Sequence, residues 1–518
     1  MDWSGAVTFW HAWRRAVASA PDATFLVFER PDGEVATWSY AEFDETVARA
    51  GAFLADHGVV AGSSVQLALT NSPAFIAVWF ATSGLGAWIV PSDPMATTAE
   101  LNGHLRRTRP TVGFCSTARA TAYREAAAGS TTVVVEVDEA DVLLARFGTD
   151  AAIAWADPAP TDRAAVMFTS GTTGAPKGVE ITQANYAFTG ATMAAAAGLG
   201  PHHRQLVVLP LFHANAQYYS VTSAVWVGAS VALMHTFSAS RFLTQAAQHG
   251  ATHASLFAAP IRMILARGAT PVAGVALQHC WYAINISDAQ HAELASLLGC
   301  APRQLYGMTE TIPAVLTDEA AAPMPSAMGY VTPGCEVDVQ RADGSPAGPG
   351  EVGELVVRGT PGITLFAGYL DDPTTTASSF RDGWFITGDR AHRDAAGRFF
   401  FDGRRSDVLK VAGENVSTVE VEQVLTSHPG VLEAAVVGRA DEVRDEVPVA
   451  FVVARDAEAG PSADELHAWC EAHLTKSKRP RDITFVAELP RTSVGKIRTF
   501  LLRDPGAETV RPQHEVTT

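Results

Sequence analysis

The sequence predicts an α/β protein with a large N-terminal domain followed by a small α+β C-terminal one, and three observations carry that reading. The chain has 518 residues, too many for one ordinary domain. From residue 60 to about 310, apolar β-branched runs alternate with alanine-rich helical stretches, the pattern of mostly parallel sheets covered by helices. Beyond Gly403 a unit of about 100 residues carries its own strand and helix signals, enough to fold alone.

The first element is a helix. MDWSGAVTFWHAWRRAV has no basic segment followed by an apolar core, so it is not a secretory signal, and it sets Trp10, Trp13 and Val17 near helical spacing. Buried strands follow at SSVQLALT (63–70), GAWIVPSD (86–93), TTVVVEV (131–137), AAVMFTS (164–170), QLVVLPL (205–211) and ASVALM (229–234). Helical patterns such as PAFIAVWFATSGLG (73–86) and ASRFLTQAAQHG (239–250) lie between them. From 327 to 402 short strands and Gly/Asp/Pro turns (GCEVDVQRADGSPAG, GELVVRG, GWFITGD, GRFFFDG) predict a β-rich, partly barrel-like subdomain. The last unit has strands around LEAAVVGR and PVAFVVA and a helix at SADELHAWCEAHL. The expected division is therefore 1–402, 403–505 and a polar tail over 506–518.

Composition narrows the function. With 47% apolar and 18% charged residues the chain reads as a soluble globular protein. A formal net charge of -17 argues against nucleic acid or an anionic membrane as partner, since both need a basic face. No apolar run reaches the ~18 residues that span a bilayer. Five scattered cysteines, an odd total with no C-x-x-C pair, predict neither zinc site nor disulfide framework, and point to a reducing cytoplasm.

The chemistry is concentrated in MFTSGTTGAPKG (167–178), which packs three glycines, four hydroxyl side chains and one lysine into twelve residues. It follows a buried strand, and a helical pattern resumes at Thr182, so a strand–loop–helix is expected, with backbone N–H groups converging on an anion. The P-loop pattern G-x-x-x-x-G-K-[ST] fails here, because Lys177 precedes Gly178 and no Ser or Thr follows it.

T-S-G-T-T-G-x-P-K-G-V resembles the signature of the adenylate-forming superfamily, which comprises acyl- and aryl-CoA synthetases, peptide-synthetase adenylation domains and beetle luciferases. YGMTET (306–311), GWFITGD (383–389), DGRRSDVLKVAGENVSTVEVE (402–422) and PRTSVGKIR (490–498) follow in the superfamily's order, so the likeness spans essentially the whole chain. YGMTET, GTPGITLFAGY, AGENVS and Arg444-Asp445-Glu446 look most like the carnitine/crotonobetaine-CoA ligase branch.

The resemblance implies an αβαβα N-terminal core, a mobile C-terminal domain and two half-reactions: a carboxylate displaces pyrophosphate from ATP to give acyl-AMP, then a thiol displaces AMP. It also implies roles for residues. Thr169, Ser170, Gly171, Thr172, Thr173, Gly174 and Lys177 would hold the β- and γ-phosphates. Thr309 would bind the α-phosphate, and Glu310 would be the Mg²⁺-associated carboxylate. Tyr306 would stack on adenine, while Asp389 and Arg404 would contact the ribose. Lys496 would be the adenylation lysine. Gly413 and Glu414 would line the tunnel for the thiol, and Gly307 would line the acyl pocket. Read alone, Thr309-Glu310 fits a helix N-cap with a first-turn acid, Gly388-Asp389 a turn, and Lys496 an exposed lysine.

Two departures stand out. The hinge position two residues after Arg404 is Ser406 instead of a charged residue, and the pocket segment is WYAINISD, placing Ala283, Ile284 and Asn285 where relatives carry a Gly-Gly pair. Amino-acid-activating relatives use an aspartate after a Phe, but LPLFHANAQYY (209–219) offers His213 and Asn215 and no acid, so an α-amino acid is disfavoured. His213 is expected to gate or line the pocket or to cap the next helix, and is counted with the catalytic candidates. With no appended carrier domain the acceptor is CoA, with a free-standing carrier protein as alternative. Lys476, Lys478 and Arg479 would meet CoA phosphates or form a solvated loop. An acyl-AMP ligase that stops at the adenylate and a non-catalytic ligand-binding homologue are the rival functions.

Overall fold

The β-branched runs between residues 63 and 234 all form strands. The computed structural model describes residues 7–142, 144–149, 152–169, 176–283, 286–319, 321–404, 408–411, 414–441, 445–456, 460–491 and 497–503. They group into two compact units, one from Met1–Phe257, Ala269–Asp338 and Val356–Thr387, the other from Ala258–Gly268, Val339–Leu355 and Gly388–Thr518. The stretch expected at 403–505 is contained in the second.

Among the described residues the first unit carries two large sheets. The seven-stranded one runs Gly368–Tyr369, Lys177–Thr182, Arg163–Thr169, Trp88–Pro91, Ser64–Ala68, Val112–Ser116, Val133–Val137. Its last five strands pair in parallel. The nine-stranded sheet has six central parallel strands, in the order Arg303–Tyr306, His279–Ala283, His253–Phe257, Arg204–Val207, Ser230–Met234, Thr24–Glu29. Antiparallel strands flank that core at both edges.

Two helices make the middle layer. Pro73–Gly84 is buried at all twelve positions, and Gln183–Ala197 at every position except Ala195 and Ala196. A helix without a polar face is covered on all sides, and here sheets lie on both, the αβαβα arrangement. Gln183 Nε2 donates to Ser83 Oγ at 2.7 Å and so ties the two helices together. The amphipathic N-terminal helix, Phe9–Ser19, forms as expected and buries Trp10 and Trp13, with Val17 half-buried.

One expectation is corrected. The glycine-rich loop opens not into a helix but into a second strand, Lys177–Thr182, antiparallel to Arg163–Thr169. Val179 and Ile181 are β-branched and buried, which suits the pleated surface better than a helix. The helix begins only at Gln183, where Thr182 and Asn185 form its capping box.

The stretch from 327 to 402 is β-rich, with short strands Glu336–Gln340, Gly353–Arg358, Phe380–Arg381, Trp384–Arg393 and Phe399–Arg404. In the second unit, the long antiparallel pair Val431–Asp441 and Asp445–Ala454 is extended by Val408–Val411, Glu414–Ser417 and the parallel strand Asp482–Phe485. Val416, Val421, Leu425, Val436, Val452, Leu466 and Cys470 form an apolar core beneath it. Arg262 Nη1 donates to Glu433 Oε1 at 3.0 Å, and Arg491 pairs with the other oxygen of Glu433.

The sheets of the first unit are joined by Asn71, which follows the strand Ser64–Ala68 and is 3% exposed. Its Nδ2 donates to Leu209 O and Met234 O, both at 3.0 Å, and its Oδ1 accepts from Leu211 N at 2.8 Å. Asn71→Leu leaves three buried backbone groups without these partners, so the first unit should lose about 2–4 kcal/mol. Tryptophan fluorescence through a urea titration measures the change. A midpoint unaltered from the parent would show that the junction does not need these bonds.

Candidate active site

The two stems of the glycine-rich loop are in register, with Thr169 opposite Lys177. Ser170, Gly171, Thr172, Thr173 and Gly174 lie outside the described residues. Gly178 is closely packed, since a Cβ there would stand 3.0 Å from Val166 Cγ1 and 3.2 Å from Leu370 Cβ and would need those neighbours to shift. The short strand Gly368–Tyr369 pairs with Lys177–Thr182 and brings an aromatic ring under the lysine. Lys177 Nζ stands 4.7 Å from the Tyr369 ring centroid, within cation–π range.

The phenol end of the same ring points to Glu310. Tyr369 Oη donates to Glu310 Oε1 at 3.1 Å, and the carboxylate residue is 5% exposed. Burial, then the Glu310 charge, raises the Tyr369 pKa, so the phenol keeps its proton and remains the donor. Lys177, Tyr369 and Glu310 are thus one connected row.

Tyr306 ends the strand Arg303–Tyr306 and is half-buried, as are Gly307 and Thr309. A Cβ on Gly307 would stand 2.9 Å from Pro313 O and from Tyr219 Oη, so only glycine fits. Thr309 and Glu310 sit in a turn and not at a helix start. The turn is held by Thr311, whose Oγ1 accepts from Met308 N at 2.9 Å and stands 3.1 Å from both Met308 O and Pro313 O. Glu310 O accepts from Phe366 N at 3.0 Å. Ile312 follows, fully buried, with φ of 71°, a left-handed conformation that costs a β-branched residue energy and occurs where surroundings enforce it.

The segment after Leu211 forms a wall beside this turn. Asn215–Val221 is a π-helical turn, buried throughout, a geometry concentrated at functional sites. Tyr218 Oη lies 3.5 Å from Thr309 O. His213 is part-exposed as a residue, but its Nε2 is shut off from solvent without a partner among the described residues. Burial lowers its pKa to about 4, so the ring is neutral near pH 7 and suits a lining role better than proton transfer. It does not act as a side-chain cap, since that turn has none. Ala283 ends the strand His279–Ala283 and is half-buried; Ile284 and Asn285 lie outside the described residues.

In the second unit, Asp389 is 3% exposed and its Oδ1 lies 3.1 Å from Arg404 Nε. The two residues face each other across antiparallel strands. Each follows a glycine in the left-handed region, Gly388 at 78° and Gly403 at 91°, which sets the direction of both side chains. Lys478 pairs with Glu420 at 2.7 Å and Arg479 with Glu471 at 2.5 Å, so two of the three basic side chains of that loop are already engaged. Ser406, Gly413 and Lys496 lie outside the described residues, as does the side chain of Glu414.

Tyr369, Asn215 and Ile312 join the candidate site only through the fold. Tyr369 ends GTPGITLFAGY and Asn215 stands in LPLFHANAQYY, and in neither stretch does residue type alone mark a partner.

The AMP-binding enzyme family matches residues 13–370, and the AMP-binding enzyme C-terminal domain matches residues 420–496. The crotonobetaine/carnitine–CoA ligase of Salmonella arizonae is 31% identical over 517 residues, covering 96% of this chain and 99% of that one. Among solved structures, a benzoate CoA ligase from Burkholderia xenovorans superposes with a TM-score of 0.87 at 26% identity, over 96% of this chain and 100% of that one. The o-succinylbenzoate CoA synthetase from Bacillus subtilis, solved with its acyl-adenylate intermediate, gives 0.83 at 27% identity, over 96% and 98%.

The row from Lys177 to Glu310 makes a thermodynamic prediction. Tyr369→Phe removes a hydrogen bond to a buried carboxylate and should cost about 1.5–3 kcal/mol. Glu310→Gln with intact Tyr369 keeps an acceptor and should cost less. Urea unfolding of both variants checks the order; a reversed order would mean that the phenol does not support the carboxylate.

Proposed function

The chain belongs to the AMP-binding enzyme family and is an AMP-forming acid–thiol ligase, and from that premise we propose which residues do the work and on which acid. A ligase of this kind converts a carboxylic acid and ATP to acyl-AMP and pyrophosphate, then passes the acyl group to CoA with release of AMP. The acid we assign is one without an α-amino group, because LPLFHANAQYY contains no acid to hold an ammonium.

In the first half-reaction a carboxylate oxygen of the substrate attacks the α-phosphorus, and the bond to pyrophosphate breaks. Charge grows on the α-phosphate and the leaving group, so donors fixed in advance lower the barrier. We place the β- and γ-phosphates against the loop 169–177 and Lys177, the α-phosphate on Thr309, adenine on Tyr306, and the ribose hydroxyls on Asp389 and Arg404. Lys496 reaches the carboxylate and the α-phosphate. The single observation that carries this assignment is the Lys177–Tyr369–Glu310 row, which joins the stem of the anion-binding loop to a buried carboxylate through one ring.

Glu310 suits Mg²⁺. Among the described residues no cluster of three or more His, Cys, Asp or Glu side chains forms a cage. One buried carboxylate is the donor set that this ion takes when phosphate oxygens and water complete its shell. Bound there, the ion would neutralise charge on the phosphates.

In the second half-reaction the thiol sulfur attacks the acyl carbon and AMP departs. CoA is the acceptor, with Gly413 and Glu414 lining its path; a free-standing carrier protein is the alternative. We assign the adenylating core to 1–402 and the mobile domain to 403–505 about a hinge at Ser406, a division supported by the two family matches. A reducing cytoplasm is the compartment we propose, supported by five free cysteines; no helix among the described residues is long and apolar enough to cross a membrane.

Lys496→Ala should slow acyl-AMP formation about 10²-fold or more, while thioester formation from supplied acyl-AMP persists. Pyrophosphate release and CoA transfer, assayed separately, decide it, and equal loss in both half-reactions would overturn the assignment. Glu310→Gln should leave the fold intact and raise the Mg²⁺ concentration needed for half-maximal pyrophosphate release, by about tenfold for each 1.4 kcal/mol of lost binding. Unchanged Mg²⁺ dependence would make Glu310 structural.

A further inference from the structure

Asn215 is the most anomalous polar side chain beside the turn that carries Glu310. It is 3% exposed, yet neither its Nδ2 nor its Oδ1 has a hydrogen-bond partner among the described residues. The nearby Gln217 shows what a satisfied amide looks like in the same π-helical turn. Its carbonyl oxygen accepts from Tyr186 Oη, and its amide donates to Leu211 O at 2.6 Å. A buried amide with both ends open is costly unless something else pairs with it. His213, two residues earlier, has a buried ring nitrogen in the same condition.

The turn packs against the strand His253–Phe257, which adds a buried, unpaired Ser255 Oγ. On the other side Tyr219, in the same turn as Asn215, reaches the surface of Gly307, next to Tyr306. The turn that carries the unpaired Asn215 amide thus also touches Gly307, a residue assigned above to the acyl pocket. This segment is uncharged: residues 207–221 contain no Asp, Glu, Lys or Arg, and the His213 ring is neutral near pH 7.

We propose that the acid this chain activates carries, away from its reacting carboxylate, a neutral group that both donates and accepts a hydrogen bond, a hydroxyl or a carboxamide, and that Asn215 with His213 recognises it. This rests on the reading of residues 209–219 as the wall of the acyl site. An amide offers one donor edge and one acceptor, and a hydroxyl or carboxamide is its complement. A site built to hydrogen-bond a substrate group rejects the analogue lacking it strongly, because its own polar atoms are then left unpaired. A permanent cation on the same part of the acid would find no counter-charge in this wall.

The test is a panel of matched acids sharing a carbon skeleton and differing at one position: hydrogen, hydroxyl, carboxamide, amine or trimethylammonium. Pyrophosphate release gives kcat/KM for each. The parent protein should prefer the hydroxyl or carboxamide acid over the hydrogen analogue by at least about tenfold. Asn215→Leu should abolish that preference while still turning over the hydrogen analogue. Asn215→Asp, nearly isosteric and checked for folding by circular dichroism, should raise the amine acid relative to the hydroxyl acid by about tenfold or more.

Equal loss on every acid in Asn215→Leu would make Asn215 structural and overturn the proposal. So would a parent preference for the hydrogen or trimethylammonium acids. Pyrophosphate release from no acid at all would strike the ligase reading itself, and the proposal with it.

Discussion

The Asn71 carboxamide, buried where the two sheets of the large unit meet, bonds to Leu209, Leu211 and Met234, and the wall beside the Glu310 turn hangs from that junction. Leu209 and Leu211 lead directly into His213 and the π-helical turn. Gln217 then returns a bond to Leu211, so the wall is closed on itself as well as anchored to the opposite sheet. Parallel sheets deliver their strand ends to one edge, but they do not fix how far apart two such edges stand. Here a short side chain using three of its hydrogen-bonding positions fixes that spacing.

The turn from Gly307 to Ile312 solves a related problem, that of presenting a buried charge. Glu310 has little contact with solvent, so its carboxylate needs donors supplied by the fold. Tyr369 supplies one from a strand far along the sequence, and that strand pairs with the stem of the glycine-rich loop. The left-handed Ile312 is the strain cost of turning the chain sharply at this point. Its full burial and the Thr311 hydroxyl bonds hold it in place.

Much of this was legible in the sequence, for identifiable reasons. Strands such as Ser64–Ala68 and Ser230–Met234 announce themselves because burial on both faces demands continuous apolar runs. Tyr306, Thr309, Glu310, Asp389 and Arg404 could be singled out as candidates because their motifs recur in a fixed order. The strand Lys177–Thr182 was misread because Gly178 breaks its apolar alternation, and because Thr182, a genuine N-cap, drew the helix boundary toward the loop. Tyr369 and Asn71 were invisible as partners: their bonds reach 59 and about 140–160 residues along the chain, a distance over which local pattern carries no information. The open ends of Asn215 could not be read at all, since satisfaction is a property of surroundings and not of residue type.

The middle helices have a consequence for how the protein is made. Pro73–Gly84 has no polar face, so it is insoluble as an isolated element and needs both sheets to cover it. Its own sheet is largely translated by residue 182, but of the six central strands of the other sheet only Thr24–Glu29 precedes the helix, and the other five lie between Arg204 and Tyr306. At about 5–20 residues per second the ribosome takes roughly 6–24 s to add the 120 residues from Gly84 to Arg204. During that interval the nascent chain carries an apolar helix that the earlier elements Phe9–Ser19, Thr24–Glu29 and Tyr40–Asp56 cover only in part. Truncations within the large unit should therefore be chaperone clients or aggregates, and the order of synthesis, more than final stability, sets how much protein a cell can recover.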